Sequence, residues 1–163
     1  ARPSSPRHIV KIGEAWVTEP PTRIETILGS CLGIILVWRE RPIYGLAHVL
    51  LPDSGDDRLR PSRYADTAPQ YLLDQMGVPP DQYRQVRAVL AGGAGMFDTE
   101  QTRDVGLSNQ RAVRKALRRA GVRVLGTDVG GSHARRMAVD TRTGVATSIR
   151  LDTSEVTKWK LFH

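Results

Sequence analysis

The hydrophobic pattern is sharpest in the first third of the chain. LGIILVW (32–38) is a short apolar run, rich in branched residues and bounded by turn signals. That pattern predicts a strand buried on both faces. RERP (39–42) turns the chain, and IYGLAHVLL (43–51) is the returning strand. HIVKIGEAWV (8–17) is strand-like and ends at the break EPPTR (19–23). QVRAVLAGGAGMF (85–97) predicts a strand running into a glycine-rich loop, and VRVLGTD (122–128) predicts another strand. RMAVD and VATSIRL flank TRTG as a hairpin, with Val145, Thr147, Ile149 and Leu151 along one face.

Two segments change to helical spacing. Ala68, Leu72, Leu73 and Met76 share a helical face, and Pro69 is tolerable only in a first turn. The cap then falls near Asp66 or Thr67 and the stop near Gly77. Ala112, Val113, Ala116, Leu117 and Ala120 mark a second helix, capped by Ser108 or Asn109 and ended by Gly121. Strands apolar on both sides, together with two amphipathic helices, call for an α/β layered sandwich in which helices cover a sheet. The chain's 163 residues suit one domain over 8–163, with ARPSSPR (1–7) as a poorly ordered tail.

Charge changes this picture little. The net charge is +7, and its densest basic segment holds Arg111, Arg114, Lys115, Arg118, Arg119 and Arg123. On a helix these residues lie mostly opposite the apolar positions, which makes them a solvated face. No aromatic residues interleave there to stack bases, so the reading excludes nucleic acid and favours an acidic protein partner. No apolar run approaches the roughly 20 residues of a membrane span. The expectation is a cytoplasmic protein without membrane insertion.

One cysteine cannot form an internal disulfide, which fits a reducing compartment. Cys31 sits in TILGSCLGIILVW (26–38), where a glycine-serine turn meets the buried strand. If 39–42 is the turn, Trp38 pairs with Ile43, Cys31 lies opposite Leu50, and His48 is its diagonal neighbour. The two side chains then project from one face, about 7–8 Å apart at the backbone. A histidine base can convert such a thiol into a nucleophile. The turn at Gly29 and Ser30 could aim backbone N–H groups at an oxyanion, and Thr26 is near enough to fix the imidazole tautomer. The plain alternative is a cysteine and a histidine in an inert core, since free cysteine is among the most buried residue types. Spacing alone leaves both open.

Other motifs carry less chemistry. AGGAGMF (91–97) lacks the Lys-Ser/Thr of a phosphate-binding loop, so it reads as a tight turn beneath the site. Gly130 and Gly131, before His133, Arg135 and Arg136, read as a turn or a partner-contacting edge. Asp53 and Ser54 either line the cleft or cap the next turn. His8, His133 and His163 have no metal-ligand spacing, so neither metal nor cofactor is expected.

TILGSC, followed by a strand and then GLAHVLLPDSG (45–55), resembles the CheD family of chemoreceptor glutamine deamidases. IGEAWV, RYADTA (63–68), AGGAGMF, GLSNQRAV (106–113) and TDVGGSHARR (127–136) extend the likeness over nearly the whole chain. The resemblance implies a layered α-β-β sandwich similar to toxin-type deamidase domains. It also implies hydrolysis of glutamine side chains to glutamate on methyl-accepting chemotaxis receptors. Its nucleophile maps to Cys31, its histidine to His48 and its threonine to Thr26, although some members place that threonine where this chain has Glu25. A CheC-type phosphatase is a further partner that the family implies. A rival from another class is a non-catalytic adaptor that docks to receptors or to that phosphatase. A second rival is another thiol acyl transfer, such as transamidation or ester hydrolysis.

Overall fold

The computed structural model describes residues 5–95 and 100–162, with the backbone alone at 101–103. Residues 1–4 of the expected tail, Met96 and Phe97 of the glycine-rich segment, and His163 lie outside the described residues. The chain is a mixed α/β structure with two five-stranded sheets and few helices. The first sheet has the order β1 (Arg7–Ile9), β3 (Arg23–Leu28), β8 (Arg135–Asp140), β9 (Val145–Arg150), β10 (Val156–Lys160). The second runs β2 (Ala15–Thr18), β5 (Ile43–Val49), β4 (Leu32–Trp38), β6 (Val86–Gly92), β7 (Arg123–Val129). The two α-helices are α1 (Ala68–Met76) and α2 (Glu100–Ala120).

β4 is central, and every residue in it is buried. Successive side chains of a strand alternate between faces, so β4 serves two cores. Leu32, Ile34 and Leu36 pack with Leu72, Leu73 and Met76 of α1 and with Val113 and Leu117 of α2. Ile35 and Val37 pack instead with Ile24, Leu28, Met137 and Val139 of the first sheet. Burying each such aliphatic side chain contributes roughly 1.5–3 kcal/mol relative to leaving it in water. The β4–β5 register is the one expected from a turn at 39–42: Trp38 faces Ile43 and Leu32 faces Val49.

Two sequence expectations need correction, and two strands had no forecast. HIVKIGEAWV is two strands in different sheets, because Gly13 at φ +80 lets the chain cross between them. RIETIL forms β3, a strand that Glu25 hides by breaking the apolar pattern; Glu25 is nevertheless buried, ion-paired with Arg7 and Arg23. VTKWK forms β10, a strand whose residues are mostly exposed and so carry no burial signal. Helix α2 begins at Glu100, which puts Ser108 and Asn109 inside it rather than at its cap. The buried stripe of its first half runs through Gly106 and Asn109, neither of which scores as apolar.

Other expectations match in detail. α1 follows Thr67 and stops at Gly77, which is left-handed at φ 73. Thr67 does not cap the helix; its hydroxyl donates to the Pro61 carbonyl. On β9, Val145, Thr147 and Ile149 share a face, the half-exposed one, while Ala146 and Ser148 point inward; Leu151, expected on that face, lies past the strand in an exposed turn.

Candidate active site

The turn 29–31 carries the chain from β3 in one sheet to β4 in the other, so Cys31 sits at their junction. Gly33, two residues on, lies directly opposite His48. Tyr44, Leu46 and His48 alternate along one face of β5, and Cys31 packs in the same cluster as Tyr44, Leu46 and Ile35. Cys31 and the face of β5 that carries His48 therefore both border the seam between the sheets, where Gly33 adds no side chain. A Cβ at 33 would come within 2.6 Å of the Met137 sulfur. Glycine there lets the first sheet close over the seam.

Thr26 reaches the same seam from β3. Its Oγ1 donates to the Val10 carbonyl at 2.7 Å and lies 2.7 Å from His48 Nδ1. A hydroxyl has one hydrogen to give, and Val10 takes it. The oxygen must therefore accept from His48, so the ring proton sits on Nδ1. Nε2 is left as an acceptor, buried and without a hydrogen-bond partner among the described residues. Burial pushes the His48 imidazole down to about 4 and the Cys31 thiol up. Both shifts have one physical cause, the loss of water around a charge. At rest the pair is a neutral thiol and a neutral imidazole. Both residues are buried, Cys31 keeping 8% of its surface exposed and His48 2%.

The glycine-rich loop holds the Cys31 turn from below. Gly93 N–H donates to the Cys31 carbonyl at 2.8 Å, and Ala94 N–H to the Gly29 carbonyl at 3.0 Å. Gly92 has φ +103, and a Cβ on it would collide with the Cys31 carbonyl. Among the described residues, the N–H groups of Ser30 and Cys31 donate to no backbone acceptor. The second glycine turn is joined to the first: Gly130 N–H bonds the Gly92 carbonyl, and Gly95 N–H the Gly131 carbonyl.

Arg135 is no partner-contacting edge. Its side chain is 1% exposed, and its donors go to Asp128, Gly92, His133 and Gly130. Nothing in the sequence marked it, because an arginine after a glycine turn looks like surface. The Val10 carbonyl was equally invisible, since main-chain acceptors leave no trace in residue type.

The remaining candidates sit apart from the seam or serve turns. Ser54 donates its N–H and hydroxyl to the Asp66 carboxylate, and Asp53 accepts from the Gly55 N–H. Both therefore organise the loop before α1. His133 pairs with Asp152 near the surface, and His8 stacks on Trp16 at 3.8 Å between ring centroids. Among the described residues no His, Cys, Asp and Glu cluster could hold a metal ion. Nor is any described helix long and apolar enough to cross a membrane. Arg111, Arg114, Lys115, Arg118 and Arg119 are exposed along α2, on the solvated face expected for them.

Comparison with known proteins identifies the family. The model of the family "CheD chemotactic sensory transduction" matches residues 50–150. A Ruegeria protein named "Probable chemoreceptor glutamine deamidase CheD 2" is 37% identical over 83% of this chain and 87% of its own length. A Methanococcus maripaludis protein named "Probable chemoreceptor glutamine deamidase CheD" is 40% identical over 83% of this chain and 89% of its own. The chemoreceptor glutamine deamidase CheD of Thermotoga maritima is 34% identical over 85% of this chain and 88% of its own. A family match over more than half of the chain, and relatives at this identity over most of it, show that the chain belongs to the CheD family.

Proposed function

We propose that this chain is a protein-glutamine glutaminase, hydrolysing glutamine side chains to glutamate on the cytoplasmic domains of methyl-accepting chemotaxis receptors. One observation carries the reading at the level of chemistry. His48, locked by Thr26 as the Nδ1–H tautomer, keeps a free Nε2 lone pair on the same face as the only cysteine. In this reading His48 takes the Cys31 proton as the sulfur attacks the carboxamide carbon. The C–S bond forms, the carbonyl π pair moves onto oxygen, and the N–H groups of Ser30 and Cys31 bind that oxyanion. His48 returns the proton to nitrogen, the C–N bond breaks and ammonia leaves a thioester. Water, deprotonated by His48, then releases glutamate and restores the thiol.

The neutral resting pair fits this order, because a proton moves only when substrate is present and no thiolate stands exposed to oxidants. Thr26 orients the imidazole and does not react. Two cores on opposite faces of the second sheet support reading the fold as an α-β-β sandwich akin to toxin-type deamidases. The basic face of α2 suits an acidic receptor stalk or a CheC-type phosphatase, and a reduced thiol suits the cytoplasm.

The test is incubation with a purified receptor cytoplasmic domain, followed by mass spectrometric mapping of glutamine-to-glutamate conversion. Cys31→Ser and Cys31→Ala should lose at least about 10³-fold in rate. Conversion that survives both substitutions refutes the mechanism, and binding without conversion by the unmodified chain identifies an adaptor.

A further inference from the structure

Arg135 is the largest side chain among the fully buried residues, and the deamidation chemistry makes no direct use of it. Its Nε donates to Asp128 Oδ2 at 3.1 Å, and Nη2 reaches the Gly130 carbonyl at 2.8 Å and Asp128 Oδ1 at 3.4 Å. Nη1 donates to the His133 carbonyl at 3.1 Å and the Gly92 carbonyl at 3.4 Å. All five guanidinium donors are therefore in use. Ser148 donates to the same Asp128 oxygen at 2.8 Å, which fixes the carboxylate from the neighbouring strand β9.

A buried arginine needs a counter-charge, but Asp128 alone would provide one. The other contacts go to the main chain of both glycine turns, and those turns hold the Cys31 turn. The Gly92 carbonyl accepts from Arg135 and from Gly130 N–H, while the next peptide N–H, that of Gly93, donates to the Cys31 carbonyl. No side chain intervenes, since a Cβ at 92 would strike that carbonyl.

We infer that Arg135, held by Asp128 and Ser148, is a positioning residue. It fixes the peptide plane of Gly92–Gly93 and through it the placement of the Cys31 sulfur and the Ser30 and Cys31 N–H groups. The inference rests on the deamidase reading for its effect on turnover, and on geometry alone for its effect on the thiol. Lysine cannot reproduce it, because one ammonium does not present a planar fork to several acceptors.

The experiment compares the unmodified chain with Arg135→Lys, Ser148→Ala and Cys31→Ser. Three quantities are read: receptor glutamine conversion, the rate of Cys31 alkylation by iodoacetamide across pH, and the urea unfolding midpoint. Folded Arg135→Lys should lose about 10- to 100-fold in kcat with KM within about twofold, as expected for a displaced reacting atom. Its alkylation-pH profile should shift from that of the unmodified chain. Should Arg135→Lys fail to fold, Ser148→Ala decides, with kcat about 2- to 5-fold lower and KM again unchanged, a smaller form of the same effect. A lower unfolding midpoint with unchanged kcat and unchanged alkylation profile makes Arg135 a structural residue only and overturns the inference. Full conversion by Cys31→Ser instead overturns the Cys31 mechanism, and no conversion by the unmodified chain overturns the deamidase reading; either leaves the alkylation profile of the unmodified chain and Arg135→Lys to judge Arg135.

Discussion

The two faces of β4 differ in what they contain. Toward the helices, Leu32, Ile34 and Leu36 meet other aliphatic side chains, and the buried Asn109 of α2 donates to the Leu50 carbonyl just beyond β5. Toward the first sheet, the same strand borders a seam holding Cys31, His48 and Thr26, with buried Arg135 and Ser148 on the facing sheet. One face stabilises by volume and shape. The other takes on buried polar groups, each needing a specific partner, and gains chemistry in return. Alternation along a single strand thus separates scaffold from site by the width of a backbone.

If that division is right, substitutions on the two faces should fail differently. The largest effect is expected from His48→Gln, which should lower kcat about 10²- to 10⁴-fold in the receptor conversion assay while the chain stays folded. Loss of folding instead would move His48 to the scaffold side. Next comes Leu36→Ala on the helix face, expected to destabilise by about 2–5 kcal/mol in urea unfolding. The kcat of its folded fraction should stay unchanged, and a large fall there would break the comparison.

Acid should reveal the seam as well. His48 is held at about 4 by burial, against an ordinary 6.5, so between those values the unfolded chain binds more protons than the native one. The contribution is complete above pH 6.5 and is lost as pH falls through about 4, on the order of 3 kcal/mol in all. Urea unfolding of the unmodified chain should show that slope, and His48→Gln should lack it. Thr26→Val is milder: it leaves the Nδ1–H without its acceptor, worth about 1–3 kcal/mol. It should therefore reduce kcat by roughly 10- to 100-fold, since the tautomer is no longer fixed. Smallest of all is Arg118→Gln on the exposed face of α2, with stability expected within about 0.5 kcal/mol and kcat unaltered.

What the sequence revealed follows the same division. The helix-side core was legible because LGIILVW and the spacing of Leu72, Leu73, Val113 and Leu117 are apolar signals of known period. The register of β4 against β5 was legible because a short turn fixes it, and register fixes which face a side chain takes. β3 was not, since Glu25 breaks its apolar run and is buried only by guanidinium groups from Arg7 and Arg23. The early start of α2 was hidden by Gly106, which is buried through backbone contact with Gly93 and not through a side chain. The roles of Arg135 and Asp128 depend on bringing β7, β8 and the two glycine turns together, and no local pattern encodes such a meeting.

The acceptor that settles the histidine's proton belongs to Val10's peptide group and not to a side chain. Every amino acid carries that oxygen, so mutation at position 10 cannot delete it. Imidazole orientation is thereby insulated from drift at that position and vulnerable only to displacement of the segment itself, which the bond from Val10 N–H to the Glu25 carbonyl resists.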